Sequence, residues 1–120
     1  MLLDTHALVW ARSDSGQLGP TALKEQRASP IVYFSPVSLV ELRLKSMAGK
    51  LDLPPAVLDD PSADGFVELA LRSDHAASMA DLPELTGHDP FDRMLVAQAL
   101  AARTRFLTAD RRLLALGKEW

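Results

Sequence analysis

Short apolar runs alternate with stretches of helical periodicity along the whole chain. Met1-Leu2-Leu3-Asp4 predicts a buried strand closed by an acid, followed by a helical stretch through Ala7, Leu8 and Trp10. Residues 13–20 predict loop, and Pro20 opens a modest amphipathic helix over 21–28, proline being favoured in a first turn. Ile31-Val32-Tyr33-Phe34 is β-branched and aromatic and predicts a second strand. A longer helix over 37–48 follows, stopped by Gly49. Residues 51–64 carry three prolines and predict loop with at most a short helix. Residues 66–71 predict a third strand and 74–82 a helix. Asp89-Pro90 opens the clearest helix, to about residue 103, before a fourth strand over 105–108 and a terminal helix over 110–116.

Strands this short and apolar, each separated from the next by a helix, predict an α/β fold. Its sheet is parallel, of about four strands, with helices on both faces, because crossover helices leave neither side to water. A chain of 120 residues suits one domain, 1–120. In such sheets ligands collect outside the carboxyl ends of the strands, and that rule directs attention to the residues following each strand.

Composition narrows the chemistry. There is no cysteine, which excludes disulfides, thiolate nucleophiles and Cys-ligated zinc. No apolar run approaches the roughly 18 residues of a membrane span, and Asp4 interrupts the start before a signal-peptide core forms, so a soluble cytoplasmic protein is expected. The net charge of −3 argues against grip on a polyanion by a general basic surface. Acids that hold divalent cations resolve the conflict locally, since the cation then meets the phosphate. Small basic groups exist, among them Arg43 with Lys45 and Lys50, Arg93, Arg103 with Arg105, and Arg111 with Arg112; most are expected on solvated faces.

Four acids lie where strands end or helices face inward. Asp4 follows the first strand, and its plain role is to cap the next helix. Glu41 falls on a stripe with Val37, Leu44 and Ala48 that is expected to face the sheet; a capping box with Ser38 is its structural alternative. Asp92, in the first turn opened by Asp89-Pro90, complements the helix dipole, but it shares a face with Leu95, Val96 and Ala99 and is expected to point inward. Asp110 follows the fourth strand in Thr108-Ala109-Asp110 and is again a plausible cap, with Thr108 placed to orient a neighbour or a water. A parallel sheet brings these four acids together. Clustered carboxylates repel one another unless a cation joins them. Mg²⁺ takes hard oxygen donors and is commonly held by one or two carboxylates, and with it the expected chemistry is phosphodiester hydrolysis.

At these residues the chain resembles a known family. Leu2-Leu3-Asp4-Thr5-His6-Ala7-Leu8-Val9-Trp10, the segment 35–45, Asp89-Pro90-Phe91-Asp92-Arg93-Met94-Leu95-Val96-Ala97-Gln98-Ala99 and Thr108-Ala109-Asp110 resemble, in order, the motifs of PIN-domain ribonucleases of the VapC toxin type. The resemblance implies a PIN fold, a Mg²⁺ or Mn²⁺ site and endonucleolytic cleavage of single-stranded RNA such as tRNA or rRNA. It implies Asp4 and Asp92 as principal metal ligands, Glu41 as ligand or water-orienting acid, and Asp110 as the fourth catalytic acid. Ser38, Thr108, Arg93 and Arg111 stand as supporting residues. A homodimer and a VapB-like antitoxin covering the site are implied as well. Two departures stand out: residues 53–65 form a shorter segment than usual, and Gly87-His88-Asp89 is one residue short before the proline.

Two other readings remain at this level. One is another acid-cluster, metal-dependent phosphohydrolase or nuclease, for example one with an aspartyl-phosphate intermediate, although the second aspartate such enzymes carry two positions on is here His6. The other is a non-catalytic domain that binds RNA or protein. His6, His75 and His88 lack metal-type pairing, and Asp89 reads as a helix cap.

Overall fold

The computed structural model describes residues 1–13 and 19–108. Among the described residues, four strands, β1 (Leu2–Leu3), β2 (Tyr33–Phe34), β3 (Val67–Glu68) and β4 (Phe106–Leu107), form one sheet in the order β3-β2-β1-β4. All pairings are parallel, with Leu2 opposite both Tyr33 and Phe106. The helices are α1 (Thr5–Ser13), α2 (Pro20–Ala28), α3 (Pro36–Met47), α4 (Pro55–Leu58), α5 (Ser73–Ser78) and α6 (Pro90–Ala102), with 3₁₀ turns at Pro61–Asp64, Met79–Asp81 and Pro83–Leu85. The α/β expectation therefore holds, with each expected strand trimmed to two residues. Within 51–64, expected as loop with at most a short helix, the chain forms the short α4 and, beyond that expectation, a 3₁₀ turn, each started by a proline. The terminal helix expected over 110–116 lies outside the described residues.

Two apolar clusters sit on opposite faces of the sheet, as consecutive residues of one strand show. Leu107 packs with Leu3, Leu8, Phe34 and Phe66, joined by Trp10, Leu23 and Leu39 from α1, α2 and α3. Phe106 packs instead with Leu82, Leu85, Val96 and Ala97, below α6. Helices thus cover both faces. The central strands are buried on each side, with Leu2, Leu3 and Phe34 fully buried, so alternation of apolar and polar residues is absent from them.

Local chemistry sets the helix ends at the functional edge. Ser35 caps α3 by accepting from the Val37 N–H at 3.1 Å, and Pro36 takes the first turn. Asp89 caps α6 by accepting from the Phe91 N–H at 2.8 Å, again followed by proline. Past the end of α3, Gly49 adopts φ 72°, the left-handed conformation that glycine reaches without steric cost. Among the described residues, no helix is long and apolar enough to cross a membrane.

Candidate functional site

Because the strands are all parallel, one edge of the sheet collects their carboxyl ends. The helices that leave there, α1 after β1 and α3 after β2, begin at that edge. So does α6, which must run back to the start of β4.

Asp4 follows β1 at this edge and is 3% exposed. Its Oδ1 accepts from the Ala7 N–H at 2.7 Å, the helix-start bond its position predicts. Its Oδ2 accepts from the Thr108 hydroxyl at 2.5 Å. Thr108 follows β4, the neighbour of β1, so the sheet itself delivers that hydroxyl.

Glu41, in α3, is 4% exposed. Its Oε1 accepts from the Thr5 hydroxyl at 2.6 Å, and Thr5 Oγ1 also lies 3.1 Å from Ser38 Oγ. Its Oε2 accepts from the Lys45 ammonium at 2.5 Å, one turn along the same helix. For α3 the structure removes one alternative and corrects one expectation. The capping box of Ser38 with Glu41 does not form, because Ser35 is the cap and Ser38 lies inside the helix. The buried face runs through Val37, Ser38, Glu41 and Leu42, while Leu44 is 52% exposed, so the stripe is rotated toward Leu42.

Asp92 sits half-buried in the first turn of α6, one turn before the buried Leu95 and Val96. Helices α3 and α6 pack on each other. Across that contact the Lys45 ammonium is held above the ordinary lysine pKa, first by its hydrogen bond to Glu41 and further by the fields of Glu41, Asp89 and Asp92, against the opposing effect of burial. Arg93 is half-buried beside Asp92. Asp110 and Arg111 lie outside the described residues.

Hydrogen bonds join Asp4 to Thr108 and, as a separate set, Thr5 to Ser38 and Glu41; Asp4 and Thr5 are neighbours in the chain, and Lys45 links Glu41 to the field of Asp92. Two of these residues, Thr5 and Lys45, were not candidates from sequence. Lys45 carried a usable signal, its spacing four residues after an inward-facing glutamate. Thr5 carried none beyond adjacency to Asp4. Two histidines set aside from sequence take other roles: His6 is exposed with its ring 6.0 Å from that of Trp10, and the buried His75 accepts from the Arg72 N–H through Nδ1.

Carboxylate and hydroxyl oxygens are donors suited to Mg²⁺ or Mn²⁺. Among the described residues, no three acids or histidines stand close enough to cage an ion with protein ligands alone. One or two carboxylates suffice for Mg²⁺, which keeps several of its waters.

Comparison with known proteins adds the family. The family model for the PIN domain matches residues 1–119. The chain belongs to the PIN domain family. No curated protein matches the sequence. Two solved structures share the fold of this PIN domain. One is a toxin-antitoxin complex from Klebsiella pneumoniae, at 18% identity and TM-score 0.60, covering 91% of this chain and 85% of that one. The other is VapBC2 from Rickettsia felis bound to a DNA fragment from their promoter, at 15% identity and TM-score 0.69, covering 96% and 90%. In this PIN domain Asp4, after β1, and Asp92, in the first turn of α6, thus lie at the edge where open parallel sheets bind ligands.

Proposed function

We propose that this PIN domain, the single domain of the chain, is a Mg²⁺- or Mn²⁺-dependent endoribonuclease of the VapC toxin type that cleaves single-stranded RNA and is silenced by a cognate antitoxin. The observation that carries the reading is the pair of nearly inaccessible carboxylates, Asp4 and Glu41, at the carboxyl edge of a parallel sheet, within a set of oxygen donors. Burying two acids at one edge is costly for a structural purpose alone, and a cation offsets that cost. Membership of the PIN family and likeness to toxin-antitoxin structures point the same way. A cytoplasmic homodimer belongs to the same proposal.

A bound divalent ion would supply acidified water and charge stabilisation for phosphodiester hydrolysis. Asp4 and Asp92 would hold it, and Asp110 would complete the acid set. Thr108 fixes the orientation of Asp4 through its hydroxyl, and Thr5 does the same for Glu41, so neither carboxylate has to reorganise when a substrate arrives. Glu41 would join the ion as a further ligand or orient a water beside it. Arg93, Arg111 and Ser38 border this set as supporting residues.

The test is cleavage of single-stranded RNA by purified protein with and without Mg²⁺ or Mn²⁺. Turnover is expected only with metal, and Asp4→Asn and Asp92→Asn are each expected to lower it by at least about a hundredfold while the fold persists. RNA binding without turnover in any metal would assign a binding module, and parental rates in either folded variant would remove the acids from the chemistry.

A further inference from the structure

Glu41 has both oxygens engaged, and by partners of different kinds. Thr5 contributes a neutral hydroxyl and Lys45 a full positive charge. The carboxylate has almost no access to water, whereas the Lys45 side chain is 35% exposed. The ammonium therefore has a route to solvent that the carboxylate lacks. A carboxylate buried this deeply needs a counter-charge, and when no metal is bound Lys45 is the cation in contact with it. A divalent ion drawn to the acids at this edge competes for the same lone pairs and is repelled by the ammonium. At Glu41 Oε2 the two cations exclude each other.

We infer that Lys45 is the resident counter-cation of the metal-free site, and that a divalent ion engages Glu41 only by displacing the Lys45 ammonium toward solvent. The inference rests on the proposed metal site and adds a regulatory step to it. The acids are never left without compensation, so the chain folds before metal arrives. The metal is bound more weakly than the acids alone would bind it. Its stem of four methylenes lets the lysine swing outward without moving α3.

The experiment is calorimetric titration of Mn²⁺ into metal-stripped parent, Lys45→Met, Glu41→Gln and the double variant. Methionine keeps the apolar stem and removes the charge. In the parent background Lys45→Met is expected to tighten Mn²⁺ binding by about tenfold or more. In the Glu41→Gln background the same change is expected to have an effect of less than about threefold, because only the long-range field of the charge is then lost. Equal tightening in both backgrounds would overturn the inference in favour of a general field, and no tightening would overturn it outright. A second measurement needs no destabilised variant: in ¹⁵N-lysine-labelled parent, the ammonium signal missing from Lys45→Arg is expected to be protected from exchange in EDTA and to lose that protection when Mg²⁺ is added. Retained protection at saturating Mg²⁺ would overturn the exchange of cations. RNA cleavage with Mn²⁺ affinity indifferent to Lys45 would sink this inference and leave the nuclease reading standing, while a parent chain that binds no Mn²⁺ would sink both.

Discussion

A buried carboxylate with one neutral and one charged partner offers two separable handles. Thr5→Val removes the hydroxyl from Glu41 Oε1 with little change of shape, leaving a buried acceptor short of a donor. The expected loss is about 1–3 kcal/mol of unfolding free energy, read by urea denaturation in EDTA. An unchanged midpoint would show that water or Ser38 replaces the hydroxyl. The charged handle is read through pH. The lysine pKa is raised from 10.5 in the folded protein, chiefly by the hydrogen bond to Glu41. The pair's contribution is therefore complete below the unfolded value and is lost as pH rises through the higher folded one. In metal-free protein, the difference in thermal midpoint between parent and Lys45→Met is expected to be constant from about pH 7 to 9 and to shrink above about 10.5. A difference that grows over that range would contradict the assigned pair. At this scale the sequence was partly legible. Asp4 and Glu41 were visible as acids in apolar settings, but the contact of Thr5 with Glu41 spans 36 positions and depends on how α1 meets α3.

The elements are joined by polar bonds as well as apolar faces. Gln98, fully buried in α6, accepts from the Ser35 hydroxyl and donates through Nε2 to the Leu69 carbonyl at 2.9 Å. One side chain thus fastens α6 to the ends of both β2 and β3, two turns from Asp92. Gln98→Leu leaves Ser35 and Leu69 short of partners and is expected to cost about 1–3 kcal/mol in thermal or urea unfolding. Because Ser35 and Gln98 serve each other, Ser35→Ala is expected to cost less in the Gln98→Leu background than in the parent. Strict additivity would show that the two side chains act independently. The element plan was legible because proline, glycine and capping residues punctuate it, as Ser35-Pro36, Gly49 and Asp89-Pro90 do. Extents were less so. Residues 66–71 read as a strand, yet only Val67 and Glu68 pair, because the partner strand β2 itself ends at Phe34 before α3 begins. Arg12 was not legible at all. Its guanidinium donates to the carbonyls of Val57 in α4 and of Asp59 at 2.9 and 2.8 Å and to Asp64 at 3.0 Å, so a surface-type residue ends as a staple between α1 and the segment from α4 to the following 3₁₀ turn.

Over the whole molecule the decisive property is charge. A chain with net charge −3 has no long-range attraction for RNA, and the proposed site gathers further acids at the place where a phosphate must come. Binding through metal reverses that local sign. A nuclease that depended on scattered arginines would bind RNA in EDTA and lose it steeply with salt, since each phosphate neutralised by a basic side chain releases counterions. In the proposed mechanism the ion would be the bridge, so fluorescence anisotropy of a labelled single-stranded RNA is expected to show weak binding in EDTA. Ca²⁺, a hard oxygen-seeking ion like Mg²⁺, is expected to strengthen it by about tenfold or more. Asp4→Asn is expected to abolish the calcium-dependent part while leaving the weak metal-free binding unchanged or slightly stronger, because it removes one negative charge from the approach. Tight, salt-sensitive binding in EDTA that ignores Asp4 would place the RNA on a basic surface elsewhere and detach recognition from the acid cluster.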